Sequence, residues 1–249
     1  MKRIVFIFAA LAAILMNACT SRQVNTDKYL RQMRERLDAI QSASYIGENL
    51  DYLPGSPIPR YHEFLFRKEY KNASDTTVGA SFLHFADKEG TELRTGYDGE
   101  ATYSVWPEYK GIVRNDFTAR NLPYRVVSNP FFRNAYHILD YALTTNDSIE
   151  YTLADSVDYY KFHLITHEEE QVEFLGGKAH HILGASAYVT DPTSEYEIWF
   201  SKQTDLPYRI KRTQSHDISE EITHDVVLNA ENPADFNIND YLPQGYTIR

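Results

Sequence analysis

Residues 196–212, YEIWFSKQTDLPYRIKR, carry the sharpest alternation in the chain. Tyr196, Ile198 and Phe200 alternate with Glu197, Trp199 and Ser201, and beyond a polar turn Leu206, Tyr208 and Ile210 alternate with Arg209 and Lys211. A period of two in both arms predicts a β-hairpin with one apolar face. The two rows share that face only across a loop with an odd number of residues, a condition met within a loop of about three to five, such as 202–204. Pro207 has no N–H to give a ladder, so it belongs at the start of its strand or on a sheet edge.

Upstream, Asp27 is placed to cap a helix reaching to about residue 44, with Tyr29, Leu30, Met33, Leu37 and Ile40 at helical spacing. After the breaker GSPIP at 55–59, strand patterns accumulate. Residues 61–70 alternate His62, Phe64 and Phe66 against Glu63, Arg67 and Glu69; 77–86 form another run; 92–97 and 100–106 flank Asp98-Gly99, a type I′ hairpin signal; 110–117 continue the meander. From Pro130 the period changes, and Phe131, Ala135, Ile138, Leu139 and Ala142 fall on one helical face beside Phe132 and Tyr136. Strand patterns resume at 148–153, 159–167, 170–175 and 178–187, the last two joined by Gly176-Gly177. A final strand at 221–229 spaces Ile222, Val226 and Leu228 by twos. Residues 235–249 are polar apart from Tyr241-Leu242. Strands joined by tight turns imply an antiparallel meander, and a sheet this long curls. The expected class is mainly β with helices (α+β): a curled antiparallel sheet forming an unclosed β-barrel, covered by an N-terminal and a mid-chain helix.

The first residues change the picture. Lys2 and Arg3 precede an apolar run at 4–15 that is too short to span a bilayer, and Met16-Asn17-Ala18-Cys19 follows. Cys19 is the only cysteine and follows a small residue, which resembles the lipobox of bacterial lipoproteins. That resemblance implies a signal peptide at 1–18, cleavage before Cys19, lipidation of its sulfur and a tether at 19–27. Cleavage removes two basic residues and no acidic one, leaving 23 Lys+Arg against 35 Asp+Glu, a formal charge of −12. An acidic chain with no basic block is unsuited to nucleic acid or to flat adsorption on anionic lipid. Without a second cysteine, a domain at 28–249 must be held by its core.

Candidate chemistry is sparse. Gly184-Ala-Ser186-Ala lacks the second glycine of a nucleophile elbow, so Ser186 reads as a strand residue, and no phosphate-binding glycine pattern occurs. His163 and His167 would stand about 13 Å apart on a strand, too far to share a metal ion, and the adjacent His180 and His181 point to opposite faces. The run from His167 through Glu170 is not H-E-x-x-H. No carboxylate pair is singled out, so neither a catalytic residue, a metal ligand nor a cofactor is assigned.

The pairing of an amphipathic helix with a curled sheet and a mid-chain helix resembles the unclosed barrel of the periplasmic lipoprotein carrier and its outer-membrane acceptor. Tyr97-Asp-Gly99 leading into 101–105, and Ile198-Trp199-Phe200 followed by Leu206-Pro207-Tyr208-Arg209, carry the likeness, which spans about residues 28–230. It implies a lipid-anchored envelope protein, facing the periplasm from the outer membrane and binding acyl chains or lipoproteins. A region of this kind also precedes a thioredoxin domain in some exported thiol-disulfide reductases; this chain has no C-x-x-C.

The composition, with 19 Tyr, 13 Phe and 2 Trp, fits three uses of the aromatic residues: an apolar cavity, a glycan-stacking platform or a plain core. The candidate cavity lining is Phe64, Phe66, Phe82, Tyr103, Phe162, Ile198, Phe200, Tyr208 and Ile210. On that reading Phe200→Asp weakens acyl binding in a protein that still folds. The other class is an interaction module that docks an envelope protein or glycan without a lipid cavity.

Overall fold

A computed structural model describes residues 25–118, 126–182 and 191–249. Helix α1 (Thr26–Ala39) buries Tyr29, Leu30, Met33 and Leu37. Its cap is Asn25, whose Oδ1 accepts from the N–H of Lys28 at 2.9 Å, and Asp27 lies in the first turn. The helix stops short of residue 44 because strand β1 (Ser42–Tyr52) begins there. Ser42 and Ser44 compete poorly for helix, whereas Tyr45 and Ile46 suit a pleated surface.

The sheet continues through β2 (Tyr61–Lys71), β3 (Ala80–Phe85), β4 (Leu93–Tyr97), β5 (Thr102–Trp106) and β6 (Gly111–Asn115). Helix α2 (Phe131–Thr144) interrupts it, followed by β7 (Ile149–Asp155), β8 (Tyr159–Thr166), β9 (Gln171–Leu175), β10 (Lys178–Ile182), β11 (Ser194–Ser201), β12 (Pro207–Gln214), β13 (Asp217–Leu228) and β14 (Thr247–Ile248). Twelve strands form one sheet in the order β14-β6-β5-β4-β3-β2-β1-β13-β12-β11-β8-β7, while β9 and β10 pair separately. Every pairing but β14 with β6 is antiparallel. The sheet ends in two edges and is not closed, as the α+β reading expects.

Turn chemistry follows the sequence with one exception. Gly176 and Gly177, with φ of 54° and 79°, join β9 to β10 as a two-residue hairpin. Pro207 opens β12, and Ile198 faces Ile210 across the β11–β12 ladder. The Asp98-Gly99 turn is longer than a type I′ pair: β4 ends at Tyr97 and β5 starts at Thr102, and only Gly99 is left-handed. Asp98 closes that loop through Oδ1, which accepts from the N–H of both Glu100 and Ala101 at 2.8 Å.

The two faces of the sheet are covered differently. On the inner face α1 and α2 lie over Tyr45, Phe162, Leu164, Tyr196, Ile198, Phe200 and Ile210. On the outer face of β2–β6 lie residues 229–249, of which the sequence pattern gives 235–249 only a polar end with one apolar pair at Tyr241-Leu242. Phe236, Ile238, Tyr241 and Leu242 pack there on Tyr70, Leu83, Phe85 and Tyr103. A Cβ at Gly96 would meet Ile238 at 2.5 Å, so this glycine makes room for the cover.

This division corrects the expectation for Phe200→Asp. Phe200 is fully buried and meets the Tyr29 ring edge-on at 5.9 Å, so a carboxylate there has no partner and prevents folding. Phe64, 38% exposed, stands on the opposite face. Urea denaturation should therefore show a loss of about 3–5 kcal/mol for Phe200→Ala, whereas Phe64→Ala costs under about 1.5 kcal/mol.

Candidate functional site

The inner face turns polar where β1, β2 and β13 meet α2. Pro130 precedes α2 and offers no side-chain cap. The first helical N–H groups find acceptors on the sheet instead: Phe131 N donates to Tyr45 Oη at 3.2 Å and Phe132 N to Glu69 Oε1 at 3.1 Å. Both acceptors are almost fully buried. Beside them Arg67 crosses β1 to an ion pair with Glu221 on β13. That crossing needs Gly47, because a Cβ there would meet Arg67 Nε at 2.8 Å. The polar seam runs on toward the open end, where Arg94 and Asn49 both donate to Glu63, at 2.6 and 3.4 Å.

Alongside this seam lies a recess of about 300 Å³. Its floor is formed by Asn49 and Asp51 of β1, Ser219 and Glu221 of β13, and Ile210 and Arg212 of β12. Its roof is Ser128, Asn129, Asn134 and the β9 residues Glu173, Phe174 and Leu175. Asn129 locks that roof: its Nδ2 donates to Phe174 O at 3.3 Å and its Oδ1 accepts from Gly177 N at 2.8 Å. The hairpin tip is pressed against the β2–β3 loop, since a Cβ on Gly177 would lie 1.8 Å from Thr77 O. Asn134 Oδ1 and Arg212 Nε are buried without a hydrogen-bond partner among the described residues. Burial, and then the charge of Asp217, push the Asp51 carboxyl up.

The nine residues expected to line one cavity are split three ways. Phe162, Ile198, Phe200 and Ile210 lie together in the core under the helices, and of these Ile210 alone reaches the recess. Tyr208, half-buried, is the extra residue at the register shift where Phe200 pairs with Pro207 and Trp199 with Arg209, so it leaves the row of Ile210 and does not join that core. Phe82 also points inward but belongs to a separate cluster with Val78, Ala80, Tyr97 and Val127. Phe64, Phe66 and Tyr103 are on the outer face, where Phe66 and Tyr103 meet the C-terminal segment. The register explains this: Glu69 faces Phe82 and Phe66 faces Phe85, so the phenylalanines of β2 alternate away from the inner side.

Among the histidines, His163 pairs with Glu195, His167 with Glu150, and His181 with Asp147. His180 Nε2 contacts Leu175 O at 2.9 Å. Among the described residues no three metal-ligating side chains converge. Ser186, Cys19 and the signal segment lie outside the described residues. No described helix is long and apolar enough to cross a membrane.

No family model and no curated protein sequence matches this chain. Solved structures do align over most of it. An outer membrane lipoprotein-sorting protein domain from Vibrio parahaemolyticus is 11% identical, with a TM-score of 0.40 over 86% of this chain and 97% of its own. An uncharacterized conserved protein from Thermus thermophilus is 6% identical, with a TM-score of 0.45 over 90% and 99%. A LolA superfamily protein from Nitrosomonas europaea is 11% identical, with a TM-score of 0.32 over 86% and 99%. At these scores and identities the likeness does not extend to function.

The seat of α2 titrates. Burial pushes Glu69 up to about 8, against the pull of the Phe132 N–H. Between the unfolded carboxyl value and pH 8 the fold therefore holds a proton that the unfolded chain has released, and stability falls as pH rises. Burial has the opposite consequence for His84, held well below its ordinary range, and His137, lowered to about 4: both disfavour the fold in acid, below about pH 6.5. Thermal melts should show stability dropping between pH 6.5 and 8, and Glu69→Gln should flatten that slope.

Proposed function

We propose that this protein is a non-enzymatic binding protein of a bacterial envelope, anchored through acylated Cys19 and facing the periplasm from the outer membrane. It takes acyl-bearing lipids or acylated segments of lipoproteins into the recess of the inner face, a role suited to lipoprotein sorting. The observation that carries this reading is the recess itself, about 300 Å³ and open beside α2, a volume at the lower end for small-molecule sites. Phe174, Leu175, Tyr196 and Ile210 offer apolar surface, and each acyl methylene taken from water there contributes about 0.8 kcal/mol. Asp51, Asn129, Asn134, Glu173 and Arg212 offer hydrogen-bonding groups to a polar end.

This polar share also supports the second reading, an envelope protein or glycan as the partner. Native mass spectrometry separates the two. Ser219 is a small side chain facing the recess, opposite Asp51 of β1 and beside Arg212 of β12. The domain from Thr20 onward, purified without detergent, should carry lipid or acylated peptide, and Ser219→Trp should lose it while keeping its far-UV spectrum and melting transition. A parent chain that stays apo after incubation with phospholipid and with acylated peptide sinks the lipid reading and leaves the protein or glycan partner.

A further inference from the structure

The two ends of the twelve-stranded sheet are unequal. At one end the chain covers its own edge: β14 lies on β6, with Arg249 N donating to Ile112 O and Arg114 N to Arg249 O, both at 2.9 Å. At the other end β7 pairs with β8 alone, and nothing among the described residues covers its outer side. The direction of its backbone groups follows from the ladder. His167 N donates to Ser148 O and Ser156 N to Tyr159 O, one bond at each end of the β7–β8 pairing and both in its register. Hydrogen-bonded pairs recur at every second residue. Glu150, Thr152 and Ala154 therefore bond to β8, while Ile149, Tyr151, Leu153 and Asp155 turn their N–H and C=O groups outward. This run contains no proline and no register shift, and so presents a regular template for one more strand.

We propose that a second copy of this chain pairs at that edge, β7 against β7, antiparallel about a two-fold axis through Thr152. Centred there, all seven residues overlap. Ile149 faces Asp155 of the second copy and Tyr151 faces Leu153, so outward-directed groups meet outward-directed groups. A slip of one residue sets them against groups already bonded to β8. The charges agree with this register: Glu150 faces Ala154, and no carboxylate of β7 opposes another. On the inner side Tyr151 and Leu153 form cross-strand pairs that prolong the apolar row. The axis stands normal to the sheet, so both inner faces look the same way. Tyr151 Oη donates to Asp27 at the start of α1, at 3.0 Å, so both α1 helices begin on that one side. On the proposed anchoring through acylated Cys19, on which this step rests, two copies tethered upstream of α1 reach a single membrane, and confinement there raises their effective concentration.

Cysteine cross-linking in the full-length chain tests the register. Thr152 is exposed and meets its own counterpart in a non-hydrogen-bonded pair, with Cα atoms about 4.5 Å apart, within the span of a disulfide. Thr152→Cys should give a dimer on a non-reducing gel after mild oxidation of the envelope fraction. Glu150→Cys should not, since the two copies of that position lie four residues apart across the axis, about 13 Å. Mixing Glu150→Cys with Ala154→Cys should restore the dimer. The parent chain, whose single cysteine is Cys19, sets the background. Absence of the Thr152→Cys dimer in a chain with an unchanged melting transition overturns the proposal, as does equal cross-linking at residues 150 and 152.

Discussion

The start of α2 is the constraint on which the inner face depends. A helix end in the interior leaves N–H groups that must find acceptors, and Pro130 provides none. Tyr45 and Glu69 meet two of them from adjacent strands, which fixes α2 lengthwise against the sheet. An apolar stripe alone resists separation but resists sliding less. The neighbouring Arg67–Glu221 pair joins β2 to β13 across β1, and Gly47 gives it passage. A hydrophobic contact would place the helix at lower desolvation cost, since burial drives Glu69 toward its neutral form. The polar seat instead specifies one position for α2, and with it the height of the recess roof.

Where hydropathy and burial agree, the elements were legible in the sequence. Both helices carry their apolar residues at helical spacing on the face that is buried. The first arm of the 196–212 hairpin puts Tyr196, Ile198 and Phe200 in the core, while a register shift opposite Trp199 and Phe200 breaks the row in the second arm. β1 was hidden for a definite reason. Its inner row reads Ala43, Tyr45, Gly47, Asn49, Asp51, passing from apolar to polar as the strand leaves the helices and enters the recess. Its outer row includes Ile46 and Leu50. Alternation thus reverses its meaning partway along, and a rule that equates apolar with inward finds no strand.

The same reversal misplaced part of the candidate lining. In β2 the inner row is Glu63, Leu65, Arg67 and Glu69, and the outer row is Phe64, Phe66, Lys68 and Tyr70. Phe66 and Tyr70 face outward under residues 229–249, which return to cover that side: Tyr70 donates to Glu231 at 2.5 Å, and Lys68 Nζ lies 5.7 Å from the centre of the Tyr241 ring. A cover contributed from more than 150 residues away leaves no local signal in β2. Recess residues such as Asn129, Asn134 and Ser219 were equally silent, since each becomes significant only when α2, β9 and β13 converge.

The division of the inner face bears on what it can hold. Over β8, β11 and β12 the apolar surface is already taken by Tyr29, Leu30, Phe131, Ile138 and Leu139 of the helices. Over β1, β2 and β13 the exposed groups are amides and carboxylates, with an arginine at each side. A bare hydrocarbon chain gains little there, because it would strand Asn134 and Asp51 without water or a partner. A ligand with an apolar length and a polar terminus satisfies both parts at once, the first along Phe174 and Ile210, the second among the groups of β1 and Asn129. A longer acyl chain would have to displace α2, and the Tyr45 and Glu69 contacts that seat the helix set the resistance to that displacement.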